Sequence, residues 1–454
     1  MRDKILRRTF LGGVGATAAG ALFVACGQAA PMESADAPAE EEAPKAEEAQ
    51  PAPAEAVELE VWTTARWDLS QGLGLEVKQE IEALVEGLTV KDLIPEGNRF
   101  TILIAAQAAN ASPDIGQVGV WQNQQVAAGG IVDSLEQYYA QSPVINKDDI
   151  WPSLRIDMDH KGQVWSMPFG PDVRFFYIHD NLYLDAGLDP ENPPVTWTDI
   201  EDVISKSFKG GNTIEQVAWG PLWANRHVWM VPMWQLGGEN INEDATKITL
   251  NTEEGREGMA WLKKVHDMQG GYDALQEFKG DENARAHFYG SRLANLYDTG
   301  SIRFESIAKE APDLEYHWGH WPKPADGFNR TYGGCHTWVL PVGATHKDLG
   351  WTFMEHFGVD DVNIRWAKHF DRLPIRVDTS YSEAYHGGDP FVIHQVDVME
   401  GRRFVVSAPG ANEMLGIMSG GVPDMLTGKT TIEEGLRNTE AQAQTVLDEW
   451  LARE

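Results

Sequence analysis

Residues 164–188 read VWSMPFGPDVRFFYIHDNLYLDAGL, and this stretch carries the most information about the fold. Pro168 and Pro171 each bias the residue before them to an extended conformation. A run rich in β-branched and aromatic residues follows at 173–178, and such residues favour strands. We therefore predict two strands with a bend between them, at a place where the chain crosses from one domain to another.

Segments on the N-terminal side of this stretch alternate between strand and helix patterns. Residues 57–62 alternate apolar and charged side chains, which predicts a strand. Residues 76–86 have helical spacing of apolar side chains. We expect a second strand at 99–104, a third beginning near Ile115 and a helix at 121–129. This alternation predicts an α/β fold with a mostly parallel sheet.

The first 25 residues have the pattern of an export signal. They begin with a basic segment and continue with apolar and small residues. Arg7 and Arg8, before Thr-Phe-Leu, resemble a twin-arginine signal. Leu-Phe-Val-Ala before Cys26 resembles the bacterial lipobox, in which the cysteine receives a diacylglycerol. We expect a signal peptide at 1–25 and a lipidated Cys26; the alternative is a buried N-terminal helix with an incidental cysteine.

The segment 26–56 that follows the predicted cleavage site has the composition of a linker. It is dominated by Ala, Pro and Glu and has no aromatic residue. Such a sequence cannot bury enough apolar surface to offset the entropy of ordering, and its excess of acidic residues makes it extended. We expect a disordered tether between the lipid anchor and the folded part.

Charge and cysteine content exclude several classes of function. The formal net charge is −32, which argues against nucleic acid and against an anionic membrane surface as partners. Only two cysteines are present, so we expect neither a disulfide framework nor a cysteine zinc cluster. Because the chain has no phosphate-binding loop, nucleophile elbow or His-Glu-x-x-His motif, we also expect no cofactor and no metal.

Six short blocks carry a family resemblance. They are SPDI with AGGIV (112–115 and 128–132), the stretch from VWSMP to PPVTW (164–197), AHFYGSRLA (286–294), a block from GG to WTFM (333–354), RLPIR (372–376) and MLTGKTTIEEGL (425–436). Each block is a weak signal by itself. In this order they resemble the extracytoplasmic solute-binding proteins of ABC importers, the family that includes maltose- and other sugar-binding proteins.

The resemblance implies a fold and its domain boundaries. It implies a two-lobed periplasmic-binding-protein fold (type II-like) with discontinuous α/β lobes joined by a hinge. Crossovers are expected near Gly170-Pro171, Tyr332-Gly333 and Asp371-Arg372. The implied lobes are 57–170 with 333–371 for lobe one, and 171–332 with 372–454 for lobe two.

The resemblance also implies a function. We expect a substrate-binding lipoprotein, anchored at the outer face of the cytoplasmic membrane, that captures a mono- or oligosaccharide between its lobes and delivers it to a permease. We expect a monomer and no enzymatic activity. Three alternatives stay open: the same fold with a polyamine, peptide or organic acid as ligand; a surface-tethered glycosidase; and a sensory lipoprotein that transports nothing.

Aromatic side chains are the first group of candidate ligand contacts, because the flat C–H faces of sugars stack on aromatic rings. Of 17 tryptophans, most are expected in the core. Trp67 with Arg66 follows the first strand, Trp121 with Gln117 follows the third, and Trp223 lies in a segment broken by Pro and Gly. For each tryptophan, core packing is the alternative.

Polar side chains near the implied crossovers form the second group. Asp172 and Arg174 follow the first crossover. The alternative to a ligand contact for these two residues is a salt bridge within the hinge. Asp298 lies in the segment 295–302. Many relatives have a ligand-stacking tryptophan at the end of this segment, where this chain has Ile302. Asp172 and Asp298 are also the pair that a glycosidase would need. The full set of predicted ligand contacts is Arg66, Trp67, Gln117, Trp121, Asp172, Arg174, Trp223, Asp298, Cys335, His336 and Arg376.

Overall fold

The computed structural model describes residues 56–223, 226–404 and 406–453. The predicted signal peptide, the predicted lipidation site at Cys26 and all but the last residue of the predicted linker lie outside these ranges. Those predictions therefore stay predictions. Within the described ranges, no helix combines the length and the hydropathy needed to cross a membrane.

Strands and helices alternate along the described chain. The strands are β1 (Val57–Trp62), β2 (Leu88–Leu93), β3 (Ile115–Gly119), β4 (Asp159–His160), β5 (Gln163–Val164), β6 (Met167–Pro168), β7 (Arg174–His179), β8 (Val217–Trp219), β9 (Leu293–Thr299), β10 (Tyr316–Gly319), β11 (Thr331–Tyr332), β12 (His336–Val339) and β13 (Arg402–Arg403). The helices are α1 (Gly72–Leu84), α2 (Arg99–Ala108), α3 (Val120–Ala128), α4 (Glu136–Gln141), α5 (Pro152–Met158), α6 (Asp180–Asp185), α7 (Trp197–Ser207), α8 (Met230–Gln235), α9 (Glu253–Asp267), α10 (Tyr272–Lys279), α11 (Ala284–Tyr289), α12 (Ala308–Glu310), α13 (Lys347–His356), α14 (Asp360–His369), α15 (Val377–Ser380), α16 (Glu383–His386), α17 (Pro390–Glu400), α18 (Ala411–Gly420), α19 (Val422–Thr427) and α20 (Ile432–Leu451). Shorter 3-10 turns lie at Ala65–Trp67, Lys147–Asp149 and Arg226–Trp229, and a π-helical turn lies at Arg303–Ile307.

The first sheet has the strand order β2-β1-β3-β12-β6. The pairs β1-β2 and β1-β3 are parallel, as the alternating pattern predicts. The strand β12 is antiparallel to both β3 and β6, so the prediction of a mostly parallel sheet holds only for the N-terminal three strands. The alternating pattern at 57–129 does not extend to β12, because β12 comes from a segment more than 200 residues further along the chain than β3.

The second sheet has the strand order β10-β7-β9-β8. Here β7 is antiparallel to both of its neighbours, β9 and β10, while β8 runs parallel to β9. All four strands come from residues 174–319, whereas the first sheet takes its strands from 57–168 and 336–339. The boundaries of the predicted lobes stay a prediction.

The prediction of a strand at 99–104 is wrong, because these residues form the first turns of α2. The side chain of Asn98 caps the helix by accepting a hydrogen bond from the Thr101 backbone N–H. Leu103 and Ala106 are the residues that the helix buries. The strand beside β1 is instead β2, at Leu88–Leu93. A helix cap and a single buried face outweigh the strand preference of Phe and Ile at this place.

The bend predicted between two strands is confirmed. Strand β6 ends at Pro168 in the first sheet, and β7 begins at Arg174 in the second. The chain returns to the first sheet between β11 and β12, through Gly333 and Gly334. A Cβ on Gly333 would lie 2.3 Å from the backbone oxygen of Asp172, so a residue without a side chain is required for the two connections to pack together.

A third segment joins these two connections. The backbone N–H of Asp172 donates to the oxygen of Gly334 at 3.0 Å, and that of Leu373 donates to the oxygen of Pro171 at 3.1 Å. Hydrogen bonds thus hold the segments 170–173, 333–335 and 371–373 side by side. Residues that are far apart in the sequence meet at this point between the two sheets.

Candidate functional site

Asp172 lies at the centre of the three connecting segments. Its carboxylate accepts hydrogen bonds from the Gly334 backbone N–H at 3.0 Å and from Arg372 Nη1 at 2.9 Å. Arg174 Nη1 lies 3.5 Å from Oδ1 of this carboxylate, the oxygen that also accepts from Gly334. Burial alone would raise the pKa of Asp172, but the two arginines and the backbone N–H lower it to about 2. The group is therefore charged throughout the physiological range, and it neutralises part of the charge of the arginines.

Trp121 presents a half-buried ring beside this centre. It lies at the start of α3, directly after β3, and its ring stacks on Phe404 with centroids 6.1 Å apart and planes 22° apart. The ring of His336 lies 6.3 Å from that of Trp121. A half-exposed ring in a stacked pair is a surface on which a flat ligand can lie.

Trp67 occupies a more enclosed position. Its ring is fully buried and packs against Phe169, His336, Trp366 and Phe370, with centroids 4.6 to 5.9 Å away. These contacts make it mainly a core residue. Its indole N–H nevertheless has no hydrogen-bond partner among the described residues, although buried polar groups of this kind are normally paired.

His336 and Gln117 form a neutral hydrogen-bonding pair. Gln117 Nε2 lies 2.7 Å from His336 Nδ1. Burial and the nearby Arg372 lower the pKa of His336 to about 4, so the imidazole is uncharged at neutral pH. The Oε1 atom of Gln117 and the Nε atom of Arg372 are buried and have no hydrogen-bond partner among the described residues. The N–H groups of Trp67 and Arg372 are thus two donors, and the Gln117 oxygen is one acceptor, that a polar ligand could pair with.

An ion pair joins the segments that follow β1 and β9. Arg66, which follows β1, pairs with Glu305, which lies in the turn after β9. Burial and the neighbouring Arg372 lower the pKa of Arg66 to about 10. The Arg66 side chain is 39% exposed, and its guanidinium carbon lies 5.6 Å from the centre of the Trp67 ring.

The structure adds three residues that the sequence did not single out. They are Tyr332, Arg372 and Phe404. The Arg174 guanidinium lies over the Tyr332 ring at 4.2 Å, and Tyr332 packs on Phe404 at 5.5 Å. Arg372 was within reach of sequence reasoning, since it opens the block RLPIR that also contains Arg376. We call the set formed by Trp67, Gln117, Trp121, Asp172, Arg174, Tyr332, His336, Arg372 and Phe404 the crossover cluster.

Arg376 lies outside the crossover cluster, and its role as a ligand contact stays a prediction. It forms ion pairs with Asp149 and Asp360, each at 3.4 Å, and donates to the Val144 backbone oxygen. These contacts link Arg376 to the 3-10 turn before α5 and to the first residue of α14. Arg372 is the arginine that meets Asp172.

Asp298 and Trp223 are also engaged elsewhere. Both oxygens of Asp298 accept hydrogen bonds from Arg285, at 2.7 and 3.0 Å, so this carboxylate is occupied by a bidentate ion pair. Trp223 is buried against Phe278 and His287. The structure therefore does not support Asp298 as a hydroxyl acceptor or Trp223 as an exposed stacking surface.

Cys335 is buried within the second connection. Its thiol lies 3.1 Å from the His336 backbone oxygen, and burial raises its pKa to about 12. A thiol in this environment is an unreactive packing group rather than a nucleophile. Its position beside His336 is explained by packing between the connecting segments.

A cavity of about 770 Å³ lies next to the crossover cluster. We call it the side cavity. It is lined by side chains from segments 153–162, 239–246 and 403–409, together with Gln124 and Leu451. Phe404 belongs to both places, because it lines the side cavity and stacks on Trp121. No local sequence pattern predicts this cavity, because three distant segments must meet to form it.

A family model described as bacterial extracellular solute-binding protein matches residues 95–386. The chain belongs to this family. The extracytoplasmic part of the predicted location is thereby confirmed. The family consists of binding proteins rather than enzymes.

Curated relatives match part of this solute-binding protein. The sn-glycerol-3-phosphate-binding periplasmic protein UgpB of Pectobacterium atrosepticum is 24% identical over 224 residues, which cover 47% of this chain and 49% of the relative. The protein of the same name from Escherichia coli K12 is 25% identical over 223 residues, with the same coverage. The chain thus spans about half the length of the curated relatives it matches.

Solved structures match over most of the chain. The sugar-binding protein MalE from Xanthomonas citri has a TM-score of 0.76 at 17% identity, covering 88% of this chain and 100% of that one. The cyclic α-maltosyl-1,6-maltose binding protein from Arthrobacter globiformis has a TM-score of 0.72 at 19% identity, with 87% and 100% coverage. A Thermotoga lettingae solute-binding protein bound with α-D-tagatose has a TM-score of 0.70 at 19% identity, with 86% and 99% coverage. These likenesses confirm the predicted α/β periplasmic-binding-protein fold.

Proposed function

We propose that this protein captures a carbohydrate between its two sheets and delivers it to the permease of an ABC importer. The crossover cluster is the observation that carries the proposal. It combines the stacked rings of Trp121 and Phe404 with the uncharged Gln117–His336 pair at the place where the two sheets meet. Aromatic faces match the C–H faces of a sugar, and fixed donors and acceptors match its hydroxyl groups.

The charges around the site favour a neutral ligand over a phosphate. Glycerol 3-phosphate, named for the curated relatives, would need an arginine or lysine without a carboxylate partner. Arg174 and Arg372 instead share Asp172, and Arg66 pairs with Glu305. The lining of the side cavity contains five carboxylates, one lysine and one arginine, and two of these carboxylates pair with arginines that lie outside the lining. A neutral polyhydroxylated solute suits this field better than an anion does.

The geometry also favours binding over hydrolysis. A glycosidase needs one carboxyl group that is protonated at working pH and a second that is ionised. The pKa of Asp172 is lowered to about 2, so this group holds no proton to donate. Asp298, the other carboxylate considered, is held by Arg285. We therefore propose a receptor without enzymatic activity.

The N-terminal pattern supports a tethered receptor. Lipidation of Cys26 would fix the protein to the outer face of the cytoplasmic membrane, and residues 27–56 would act as the tether. Thirty flexible residues have a root-mean-square span of about 30 Å. That reach keeps a monomeric receptor close to the permease while it turns to dock.

A thermal-shift screen tests the proposed function. The panel contains mono- and oligosaccharides, glycerol 3-phosphate, spermidine and short peptides. A ligand at about 100 times its dissociation constant adds about 2.7 kcal/mol to the free energy of unfolding. We expect at least one saccharide to raise the melting temperature. Shifts with glycerol 3-phosphate, spermidine or peptides, and with no saccharide, would contradict the proposal.

A further inference from the structure

The side cavity is larger than a single sugar ring requires. Its volume of about 770 Å³ lies in the upper part of the range of about 300–1,000 Å³ for sites that enclose drug-sized ligands. A monosaccharide is smaller than such a ligand. The crossover cluster already offers a stacking surface for one ring, so the side cavity provides space beyond it.

The side cavity and the crossover cluster share a wall. Phe404 stacks on Trp121 and also lines the side cavity. Gln124 lines the cavity as well and follows Trp121 by three positions in α3, so the two side chains lie on neighbouring turns of one helix face. A ligand lying against Trp121 is therefore next to the side cavity, without any rearrangement of α3.

The lining of the side cavity contains both apolar and polar groups, which match the apolar faces and the hydroxyl edges of a chain of pyranose rings. Apolar contacts come from Ile156, Ile241, Phe404 and Leu451. Ile156 is 53% exposed although it is a large apolar side chain. Carboxylate groups lie beside them, among them that of Glu243, so apolar faces and hydroxyl edges would both find partners.

One wall of the side cavity is a preformed turn at residues 239–246. The Asn242 side chain accepts hydrogen bonds from the backbone N–H groups of Thr246 and Lys247, both at 2.8 Å. Gln444 of α20 donates to the Thr246 backbone oxygen at 3.0 Å and accepts from the Ile248 N–H at 2.8 Å. A wall fixed in this way loses little conformational entropy when a ligand binds.

We infer that the side cavity is a second saccharide subsite, and that the ligand is an oligosaccharide. One ring lies on Trp121 in the crossover cluster, and the following rings enter the side cavity between Ile156 and the turn at 239–246. This inference rests on the proposed function and adds the length of the ligand and the residues that set it.

A calorimetric length series tests the inference. The probes are glucose, maltose, maltotriose and maltotetraose, with mannose, mannobiose and mannotriose as a second series. The variant Ile156→Glu removes an exposed apolar contact from the side cavity. The matched control is Leu184→Glu, since Leu184 is a helical residue that is 59% exposed and does not line the cavity.

We expect affinity to rise at least tenfold from one ring to three rings in the series that binds. Ile156→Glu should remove most of that gain while the affinity for the single ring stays within about twofold, and Leu184→Glu should change neither. Equal affinities for one and three rings would overturn the inference, as would an equal loss for all lengths in Ile156→Glu. Binding of no saccharide at all would overturn the proposed function itself, and the inference with it.

Discussion

Replacing Asp157 with asparagine should lower the free energy of unfolding by about 3–5 kcal/mol. Asp157 Oδ2 and Arg402 Nη2 are 2.6 Å apart, and the two side chains are 1% and 0% exposed. The substitution keeps the shape of the side chain but leaves the arginine charge buried without a counter-charge. Because a group buried this deeply cannot recover its hydration, the penalty is large.

Urea denaturation monitored by tryptophan fluorescence measures this effect. The control is Asp202→Asn, which breaks the exposed ion pair with Lys206 and should cost at most about 0.5 kcal/mol. The double variant Asp157→Leu with Arg402→Met removes both charges and should recover much of the loss. Equal effects of the two single substitutions would show that the Asp157–Arg402 pair has no special role in stability.

Replacing Trp121 with alanine should weaken saccharide binding about 30-fold or more, which corresponds to about 2 kcal/mol. The substitution removes the half-buried ring that stacks on Phe404 and leaves the hydrogen-bonding groups in place. Titration calorimetry measures the dissociation constant, and the melting temperature reports on folding. The matched control is Trp450→Ala, since Trp450 is also half-buried and contacts Phe100 from α20, outside the crossover cluster.

The control variant should bind the saccharide with the affinity of the unmodified protein. A folded Trp121→Ala variant that binds with unchanged affinity would mean that the ligand does not lie on this ring. Equal losses in both tryptophan variants would point to a general loosening of the fold instead.

Sequence patterns predicted the elements that depend on residues close together in the chain. The prolines at 168 and 171 and the strand-forming residues after them are enough to predict the bend between β6 and β7. The predicted helix at 121–129 is confirmed as α3, at Val120–Ala128. The segment 99–104 forms a helix although its residues favour a strand, because the Asn98 side chain caps the helix.

The candidate site was only partly predictable, since partner choice depends on tertiary contacts. Two arginines four positions apart, Arg372 and Arg376, look equivalent in the sequence. In the structure, Arg372 forms an ion pair with Asp172, whereas Arg376 forms ion pairs with Asp149 and Asp360. Asp298 of β9 forms an ion pair with Arg285 of α11. The spacing of these two residues in the sequence does not predict this ion pair.

Hydrogen–deuterium exchange of the full chain, with and without a saturating saccharide, examines whether the ligand lies at the crossover cluster. The probe is the saccharide that gives the largest thermal shift. We expect slower amide exchange in peptides covering 64–67 and 117–121, which lie at the ends of β1 and β3, together with peptides covering 331–336 and 402–404, which contain β11 and β13. Protection confined to only one of these two groups, or to neither of them, would contradict the proposal that the ligand is held at the crossover cluster.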